Sequence, residues 1–425
     1  MPMRLTAEER DILDGKKGAS LAKVMKTLVM YGEAFDAEKM TPITGAHGHL
    51  VTSVGLGVMK PVFALLDSLI AEGVVSGQKF TVDPRPLDGK VPAGFLQKFF
   101  FKIMYSKQAD YEAQLRKLGL IRDDGFTCTC YMNEVGNAPK HGDILSWAES
   151  SAVVYANSVL GARCNRNSGI IELFGSIAGC VPRFGLLTDE GRKAAWIVEV
   201  KTTKKPEAQL LGSAIGMKVM DAVPFIRGLN DWIGRELTQE AKDYLKDMGA
   251  AAASNGAVGL YHVENMTPDA TERGLSLILP GAQTYVIDDA ELARVEREYP
   301  VIWKDKAAAP KLCFVGCPHL SQAQLAAWTD NVCAALEKNG KEKVSVPTVF
   351  TAAPAVLEAF NKTGAAARLA KTGVITSGIC PLMYMNNPLC GKMPVITNSN
   401  KLRTYTTARY YRDEEIVEKI TGGSK

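Results

Sequence analysis

The chain has 425 residues, of which 46% are hydrophobic and 23% are charged, and its formal net charge is +4. This length and apolar content predict a large core divided over two or three domains. Lysines and arginines are interspersed with acidic residues, so the small net charge gives no basis for expecting a nucleic-acid partner.

The nine cysteines are an odd number at irregular spacing, which is not the pattern of a disulfide framework. The N-terminal residues are charged and lack the apolar core of a signal peptide. No stretch reaches the roughly 18 consecutive apolar residues that a membrane span needs. We therefore expect a reduced, cytoplasmic protein without a membrane partner, in a compartment where free thiols persist.

The N-terminal third of the chain alternates helix and strand signals. Thr6 and Glu9 form a capping-box pattern, which predicts the start of a helix. Residues 42–49 then form a glycine-bearing loop that contains two histidines. Apolar spacing after this loop predicts a helix over residues 58–70 and a short strand over residues 79–83.

The rest of the chain continues this alternation. Ser146 and Glu149 form a second capping-box pattern, at the start of a helix over residues 148–160. The other predicted elements are helices over residues 169–179 and 321–337 and strands over residues 194–201, 311–315, 374–376 and 394–397. This order predicts an α/β fold with sites at the carboxyl ends of strands. We expect its regions to be residues 1–125, 126–303 and 304–425.

Three cysteines occupy separate turn-bearing loops. Cys128 lies in Thr-Cys-Thr-Cys-Tyr, Cys317 in Gly-Cys-Pro-His and Cys380 in Gly-Ile-Cys-Pro. Three thiolates that converge on one point would hold an iron–sulfur cluster with one open iron. A packing role is the alternative for each cysteine. Cys128 and Cys130 are also compatible with zinc or redox chemistry.

Two segments have the pattern of anion-binding turns. Glu149, Ser150 and Ser151 lie at a predicted helix N-terminus, where backbone N–H groups favour an anion. A predicted strand leads into residues 398–401, which are small and polar and end in Lys401. An ordinary helix cap is the alternative for both segments.

Five basic side chains add candidates for binding and proton transfer. Arg163 and Arg166, after the helix that Glu149 precedes, could clamp a carboxylate or a phosphate. His47 and His49 lie on the glycine-bearing loop, where a histidine could act as acid, base or substrate ligand. His319, two residues after Cys317, could donate a hydrogen bond to a cluster sulfide or to substrate.

Together these segments resemble aconitase X, the catalytic large subunit of a divergent branch of the aconitase superfamily. The resemblance runs over nearly the whole chain. It is carried by residues 31–35, the His47 loop, residues 136–139, a long central signature over residues 149–163, and residues 316–319 and 397–401.

The resemblance implies an aconitase-like α/β fold, with several α/β/α layered domains around a central cleft that holds a cluster. It implies a hydro-lyase that dehydrates mevalonate 5-phosphate, to anhydromevalonate phosphate, or cis-3-hydroxy-L-proline. It also implies a separate small subunit with the swivelling domain, because members of this length lack that domain. The three-cysteine set favours mevalonate 5-phosphate.

The resemblance also assigns the cluster ligands to Cys128, Cys317 and Cys380. The implied cofactor is a 4Fe–4S, 3Fe–4S or 2Fe–2S cluster. Cys130 and Cys164 stand where the family often has proline and threonine, so this departure leaves the cluster type open.

Loss of water from a hydroxy acid needs help for the departing hydroxyl, a base for the α-proton and a site for the carboxylate. Ser399, His47 and Ser151 are the candidate bases, and Glu149 is a candidate for orienting another group or ligating iron. The candidate substrate-binding residues are Ser150, Arg163, Asn398, Lys401 and His319. Two other functions stay open, namely an enzyme with a cysteine nucleophile and a non-catalytic scaffold subunit.

Overall fold

The computed structural model describes residues 2–422, through most of which helices and strands alternate. The strands are β1 Met40–Pro42, β2 Gly48–Leu50, β3 Phe80–Val82, β4 Cys180–Pro182, β5 Ala194–Val200, β6 Pro224–Arg227, β7 His262–Val263, β8 Ile278–Ile287, β9 Leu312–Leu320, β10 Thr348–Ala352, β11 Ile375–Ser377, β12 Val395–Thr397 and β13 Arg409–Tyr410.

The helices surround these strands. They are α1 Ala7–Leu13, α2 Ala19–Ala34, α3 Lys60–Ala71, α4 Phe95–Met104, α5 Gln108–Leu118, α6 Ser150–Ser158, α7 Ile171–Ala178, α8 Ala208–Val219, α9 Asn230–Ile233, α10 Gln239–Asn255, α11 Pro268–Arg273, α12 Asp289–Arg297, α13 Gln322–Lys338, α14 Pro354–Phe360, α15 Gly364–Lys371, α16 Pro381–Met385, α17 Asn400–Tyr405 and α18 Asp413–Thr421. Within residues 2–422, no helix combines the length and the apolar character needed to cross a bilayer.

Two parallel sheets organise the central and C-terminal parts of the chain. The first has the order β7-β6-β5-β8 and the second the order β11-β10-β9-β12-β13. In the N-terminal part, β2 pairs with β3 in parallel and β1 pairs with β4 antiparallel. Every residue of β9 and β10 is buried, as expected for parallel strands covered on both faces. This architecture confirms the predicted α/β class.

The N-terminal part of the chain packs directly on the C-terminal sheet. Phe101 of α4 and Tyr105 share a buried apolar cluster with Phe314 of β9 and Tyr384 of α16. The rings of Phe101 and Tyr384 are 5.4 Å apart between centroids, and the Tyr105 hydroxyl donates to the Met383 carbonyl over 2.8 Å. Segments far apart in sequence are therefore fixed beside one another at this sheet.

The second predicted capping box is wrong. Helix α6 begins at Ser150, and Glu149 is its N-cap, with a carboxylate that accepts from the Ala152 N–H. The Ser146 hydroxyl instead donates to the Glu172 carbonyl over 3.1 Å. A glutamate can cap because its carboxylate reaches the free N–H groups of the first turn, so the helix starts later than the pattern indicates.

The predicted end of the strand before Cys317 is also wrong. Strand β9 continues to Leu320, although Gly316 has a φ of +101° and the register with β10 shifts between Phe350 and Ala352. A Cβ on Gly316 would lie 2.6 Å from the Thr351 carbonyl oxygen. Glycine is therefore required where β9 bends past β10, and Cys317 follows this bend.

Candidate active site

The three cysteine-bearing segments meet around His319. The His319 N–H donates to Cys128 Sγ over 3.4 Å, and His319 Nδ1 lies 3.1 Å from Thr127 Oγ1. On its other side, His319 Nε2 lies 3.3 Å from the carbonyl oxygen of Ile379, the residue before Cys380. A carbonyl only accepts, so Nε2 carries the hydrogen and Nδ1 accepts from the threonine hydroxyl. Burial lowers the pKa of His319 to about 4, which keeps the ring neutral.

Strand order explains why Cys317 and Ser399 are neighbours. Strands β9 and β12 pair in parallel, so their carboxyl ends lie at the same sheet edge, and β11 leads into the Cys380 turn at that edge. The Ser399 hydroxyl donates to the Cys317 carbonyl, and Lys246 Nζ donates to the His319 carbonyl over 2.9 Å. Both sides of the Cys317 bend are thus held by side chains from other elements.

Glu149, Ser151 and Lys401 form a buried charged group beside these cysteines. The Ser151 hydroxyl donates to Glu149 Oε2 over 2.7 Å, Lys401 Nζ lies 3.3 Å from Ser151 Oγ, and the ammonium pairs with Glu149 Oε1. Glu149 is 2% exposed and Lys401 is 6% exposed. The structure therefore joins residues 149 and 151 of the first predicted anion turn to residue 401 of the second.

The ion pair keeps both partners charged. Burial alone would raise the pKa of Glu149, but the Lys401 ammonium and hydrogen bonds from Lys401, Ser151 and Ala152 outweigh it and lower that pKa to about 2. Burial would lower the pKa of Lys401, but Glu149 and nearby acidic groups raise it overall. One positive and one negative charge are accordingly fixed inside the protein.

All three thiols lie within the electrostatic reach of Lys401. Burial raises the pKa of Cys128 well above its usual value, that of Cys317 to about 11 and that of Cys380 to about 12. In each case the Lys401 charge acts in the opposite direction and favours the thiolate. Cys128 and Cys317 are buried, whereas Cys380 is half-buried, so the group is more open on the Cys380 side.

Thiolates are the donors that iron–sulfur clusters take from proteins. Within residues 2–422, no group of three Cys, His, Asp or Glu side chains is gathered closely enough to hold a metal ion. A cluster is larger than one ion and takes thiolates from separate loops, which is what the segments around His319 offer. The three cysteines therefore fit a cluster in donor type and in placement on adjoining segments.

Asp83 adds a charged side chain that is not among the predicted site residues. His49 Nδ1 lies 2.9 Å from Thr81 Oγ1, and His49 Nε2 lies 3.3 Å from Asp83 Oδ1. Burial raises the pKa of Asp83 to about 6, and its charge interacts with both Glu149 and Lys401. The pairing of β2 with β3 places His49 beside Thr81. The sequence of neither strand reveals this pairing, so His49, Thr81 and Asp83 could not be predicted as neighbours.

His47 is placed differently from His49. Its carbonyl accepts from the Trp147 indole N–H over 3.2 Å, and its half-buried side chain makes no hydrogen bond within the described chain. Cys130 is buried beside His49, whose pKa it helps to raise against the opposing effect of burial. Cys164 Sγ accepts from the Trp147 N–H over 3.3 Å, which is a contact of local packing.

Arg163 and Arg166, which are three residues apart, have different surroundings in the structure. Arg163 donates to Asp189 over 2.6 Å. Arg166 has no hydrogen-bond or ion-pair partner among residues 2–422; burial lowers its pKa, while Tyr405 and Glu149 oppose that shift. Arg163 is therefore committed to an ion pair, whereas the charge of Arg166 interacts with Tyr405 and Glu149.

Two other candidate binding residues lie at the margin of the group. Asn398 donates to Asp413 over 2.9 Å, so its amide is directed toward α18 rather than toward Lys401. Ser150 is half-buried at the first position of α6. The remaining candidates converge: His319 contacts the cysteine segments, and Ser399 caps the helix that carries Lys401.

Three family models match consecutive parts of the chain. They are described as the first, second and third domains of aconitase X, and they match residues 2–190, 194–297 and 310–418. A solved structure, the holo-form of Thermococcus kodakaraensis aconitase X, is similar with a TM-score of 0.80 and 28% sequence identity, covering 98% of this chain and 99% of that one.

Relatives with assigned activities fall into two groups. The phosphomevalonate dehydratase large subunit of Thermococcus kodakarensis is 33% identical over 356 residues, which are 83% of this chain and 82% of the relative. That of Methanocaldococcus jannaschii is 30% identical over 76% of this chain and 77% of its own length. The cis-3-hydroxy-L-proline dehydratase of Hypocrea jecorina is 28% identical, and the match spans 67% of this chain but 48% of that longer protein.

Proposed function

The chain belongs to the aconitase X family, whose relatives are dehydratases and therefore hydro-lyases, and we propose that it dehydrates mevalonate 5-phosphate as the large subunit of a two-chain enzyme. The length of the matches supports this substrate. Relatives named phosphomevalonate dehydratase large subunit match over most of both chains, whereas the hydroxyproline dehydratases extend far beyond the matched part. The name "large subunit" also supports a small-subunit partner.

We propose that Cys128, Cys317 and Cys380 hold an iron–sulfur cluster. Such a cluster, when bound with an open iron, supplies a Lewis acid for the departing hydroxyl. The observation that supports this most directly is the meeting of the three cysteine segments around His319, within reach of the Lys401 charge. That charge favours the thiolate form, which is the form that binds iron.

Lys401 and Glu149 prepare the site for a negatively charged substrate. The buried ammonium supplies positive charge where the substrate carboxylate gains electron density as its α-proton leaves. Glu149 is fully ionised at neutral pH because its pKa is lowered, so it holds Lys401 and Ser151 in place rather than acting as a strong base. The Arg166 guanidinium, which has no side-chain partner among residues 2–422, and the N–H of Ser150 are the proposed ligands for the substrate phosphate.

Ser151 and Ser399 are the two candidate bases that the geometry supports best. The Ser151 hydroxyl lies between the Glu149 carboxylate and the Lys401 ammonium, and the ammonium would stabilise the negative charge of an ionised Ser151. Ser399 lies against the Cys317 carbonyl and accepts from the Leu402 N–H over 3.1 Å at the start of α17. Alanine at the true base lowers kcat by about 10²–10⁴-fold with KM and cluster absorption kept, whereas alanine at a positioning serine changes KM as well.

The test is anaerobic reconstitution of the chain with iron and sulfide, together with its small subunit. We expect a brown protein with visible absorption that removes water from mevalonate 5-phosphate faster than from cis-3-hydroxy-L-proline. Cys317→Ser should lose both colour and activity. Cys313→Ser is the matched control, because Cys313 is a buried cysteine of the same strand that faces the core.

The alternatives give different results in the same experiment. A colourless, active protein that loses activity when one cysteine is alkylated would indicate a thiol nucleophile and contradict the cluster. A chain that binds its small subunit but dehydrates neither substrate in the coloured form would indicate a scaffold. Faster turnover of cis-3-hydroxy-L-proline would keep the dehydratase and reverse the substrate assignment.

A further inference from the structure

One face of helix α4 presents large apolar side chains to solvent. Its members, which we call the α4 face, are Phe95, Leu96, Phe99, Phe100 and Ile103, exposed by 85%, 60%, 53%, 37% and 55%. Their spacing places them on one side of the helix, while Phe101 is buried on the other side. Contiguous exposed apolar surface of this kind marks an interaction site more often than scattered single residues do.

The charged side chains of α4 and of its flanking residues 89–106 have a single sign. Residues 89–106 contain Lys90, Lys98 and Lys102 and no aspartate or glutamate. By helical spacing, Lys98 and Lys102 flank one edge of the apolar stripe. A complementary partner therefore presents an apolar patch with acidic groups at its rim.

Helix α4 also lies against the more open side of the candidate active site. The Gln97 side chain contacts Met393, and the Gln97 carbonyl accepts from the Asn387 amide over 2.9 Å. The buried face of α4 packs on α16, the helix that begins directly after Cys380. Cys380 is the half-buried member of the three cysteines. A partner seated on the α4 face would thus border the side on which the site is open.

From these observations we propose that the α4 face is the docking surface for the small subunit, which meets it with an apolar patch and an acidic rim. This inference rests on the proposed two-chain enzyme. It adds where the second chain binds and why the large chain needs it: the partner covers apolar surface beside Cys380 and limits access of water to the site.

Charge argues for this occupant over a second copy of the chain. An antiparallel two-fold pairing would bring the α4 faces of two copies together, with lysines of one copy near lysines of the other. A specific interface buries roughly 800 Å² on each side. The α4 face supplies about half of that, at roughly 150–250 Å² for each fully buried aromatic side chain. Val58, which is 85% exposed, follows Gly57, and Gly57 lies close to Ser106, two residues beyond the end of α4.

The test measures binding of the purified small subunit from the same organism to the full-length large chain by calorimetry. Phe99→Glu should raise the dissociation constant at least tenfold, because it places a negative charge in the apolar stripe, opposite the acidic rim of the partner. Phe99→Ala should raise the dissociation constant by a smaller factor. Higher salt should raise the dissociation constant of the wild-type complex. Met30→Glu is the matched control, since Met30 is 60% exposed on α2 and should leave the dissociation constant unchanged.

Activity separates this proposal from the proposed function. The Phe99→Glu enzyme should recover wild-type kcat at saturating small subunit, because the α4 face carries no catalytic group. Unchanged affinity in Phe99→Glu, or no complex with wild-type chain, would overturn the docking surface and leave the chemistry to stand on its own test. A complex that forms as expected but has no dehydratase activity would support the docking surface and contradict the proposed function.

Two further outcomes would assign the α4 face to another occupant. Concentration-dependent dimers of the large chain alone, abolished by Phe99→Glu while small-subunit affinity is kept, would identify it as a contact between copies. Flotation of the chain with phosphatidylserine-containing vesicles would identify the α4 face as a lipid contact, if Phe99→Glu abolishes the flotation and keeps the small-subunit affinity. Either result overturns the proposal.

Discussion

Lys401 links the electrostatics of the candidate site at the scale of a single residue. Its ammonium pairs with Glu149, lies near Ser151 and favours the thiolate form of three cysteines from distant parts of the chain. A buried ion pair is costly to break, because the remaining charge loses both its solvent and its partner. Lys401 is therefore important for folding as well as for the proposed chemistry.

Replacing Lys401 with methionine should reduce the free energy of unfolding by about 3–5 kcal/mol. The loss should grow with pH, because Glu149 without its ammonium has a folded pKa raised by burial. A group of that kind stabilises the fold below its unfolded pKa and loses this contribution as pH rises through the folded value. Urea unfolding at pH 5 and pH 8 measures both effects. The double variant Glu149→Gln/Lys401→Met should regain part of the loss, and equal stability at both pH values in the single variant would contradict the argument.

Arg166→Ala should raise KM for mevalonate 5-phosphate by about tenfold or more, because a guanidinium–phosphate contact contributes about 1.5–3 kcal/mol. The visible absorption of the reconstituted enzyme should not change. Arg163→Ala is the control, because Arg163 is committed to Asp189 and should leave KM near the wild-type value. A larger increase of KM in Arg163→Ala than in Arg166→Ala would assign the phosphate site to Arg163 instead.

Site residues could be predicted from the sequence where the signal lies in a short segment, but not where it depends on a partner distant in the chain. Glu149, Ser151, Ser399 and Lys401 stand at turns, where backbone geometry indicates an anion site, and the structure brings these side chains and His319 near the cysteine segments. Their catalytic roles stay predictions. Sequence could not rank Arg163 against Arg166, because the difference arises from an ion pair with a residue 26 positions away from Arg163.

At the scale of elements, close packing of α8 on α10 sets the position of α17. A Cβ on Gly212 of α8 would lie 2.0 Å from the Met248 carbonyl oxygen, so glycine permits the two helices to touch through their backbones. From the same helix, Gln209 Oε1 accepts from the Asn400 N–H over 3.0 Å. Asn400 precedes Lys401, so this helix pair supports the charged group.

Gly212→Ala should destabilise the protein by about 1–3 kcal/mol, because the added methyl group must push two helix backbones apart. Gly364→Ala is the matched control. Gly364 begins α15 with no atom within 4 Å of its would-be Cβ, so alanine there should be neutral or add up to about 1 kcal/mol. Equilibrium urea unfolding measures both, and equal stabilities would contradict the packing argument.

Element-level prediction succeeded where the signal lay inside one element and was wrong where a neighbour decided the outcome. The Thr6–Glu9 capping box is present at α1, and the helix predicted over residues 321–337 is α13, Gln322–Lys338. The end of β9 was misplaced, because glycine and proline at 316 and 318 resemble a strand terminator. Pairing of β9 with strands on both sides keeps the chain extended past them.

At the scale of the whole molecule, Lys246 connects the parts matched by the second and third family models. Its ammonium donates to the His319 carbonyl over 2.9 Å and lies 3.3 Å from Asp247, and its side chain is 1% exposed. It therefore holds the Cys317 bend from the α10 side.

Lys246→Met should lower the free energy of unfolding by about 3 kcal/mol, because it leaves Asp247 without its cation and the His319 carbonyl without a donor. Lys242→Met, on the same helix and only half-buried, should change it by no more than about 0.5 kcal/mol. Denaturant unfolding followed by fluorescence compares the two. Similar stabilities would show that the link is not needed for the fold.

The distribution of the site along the chain also constrains when it can come into being. Cys128 and Glu149 leave the ribosome long before Cys317, Cys380 and Lys401, which are made in the last third of synthesis. Until then the nascent protein has a carboxylate without its cation and one thiol without its companions. The proposed cluster would accordingly be assembled only after the last of its three cysteine ligands has been made.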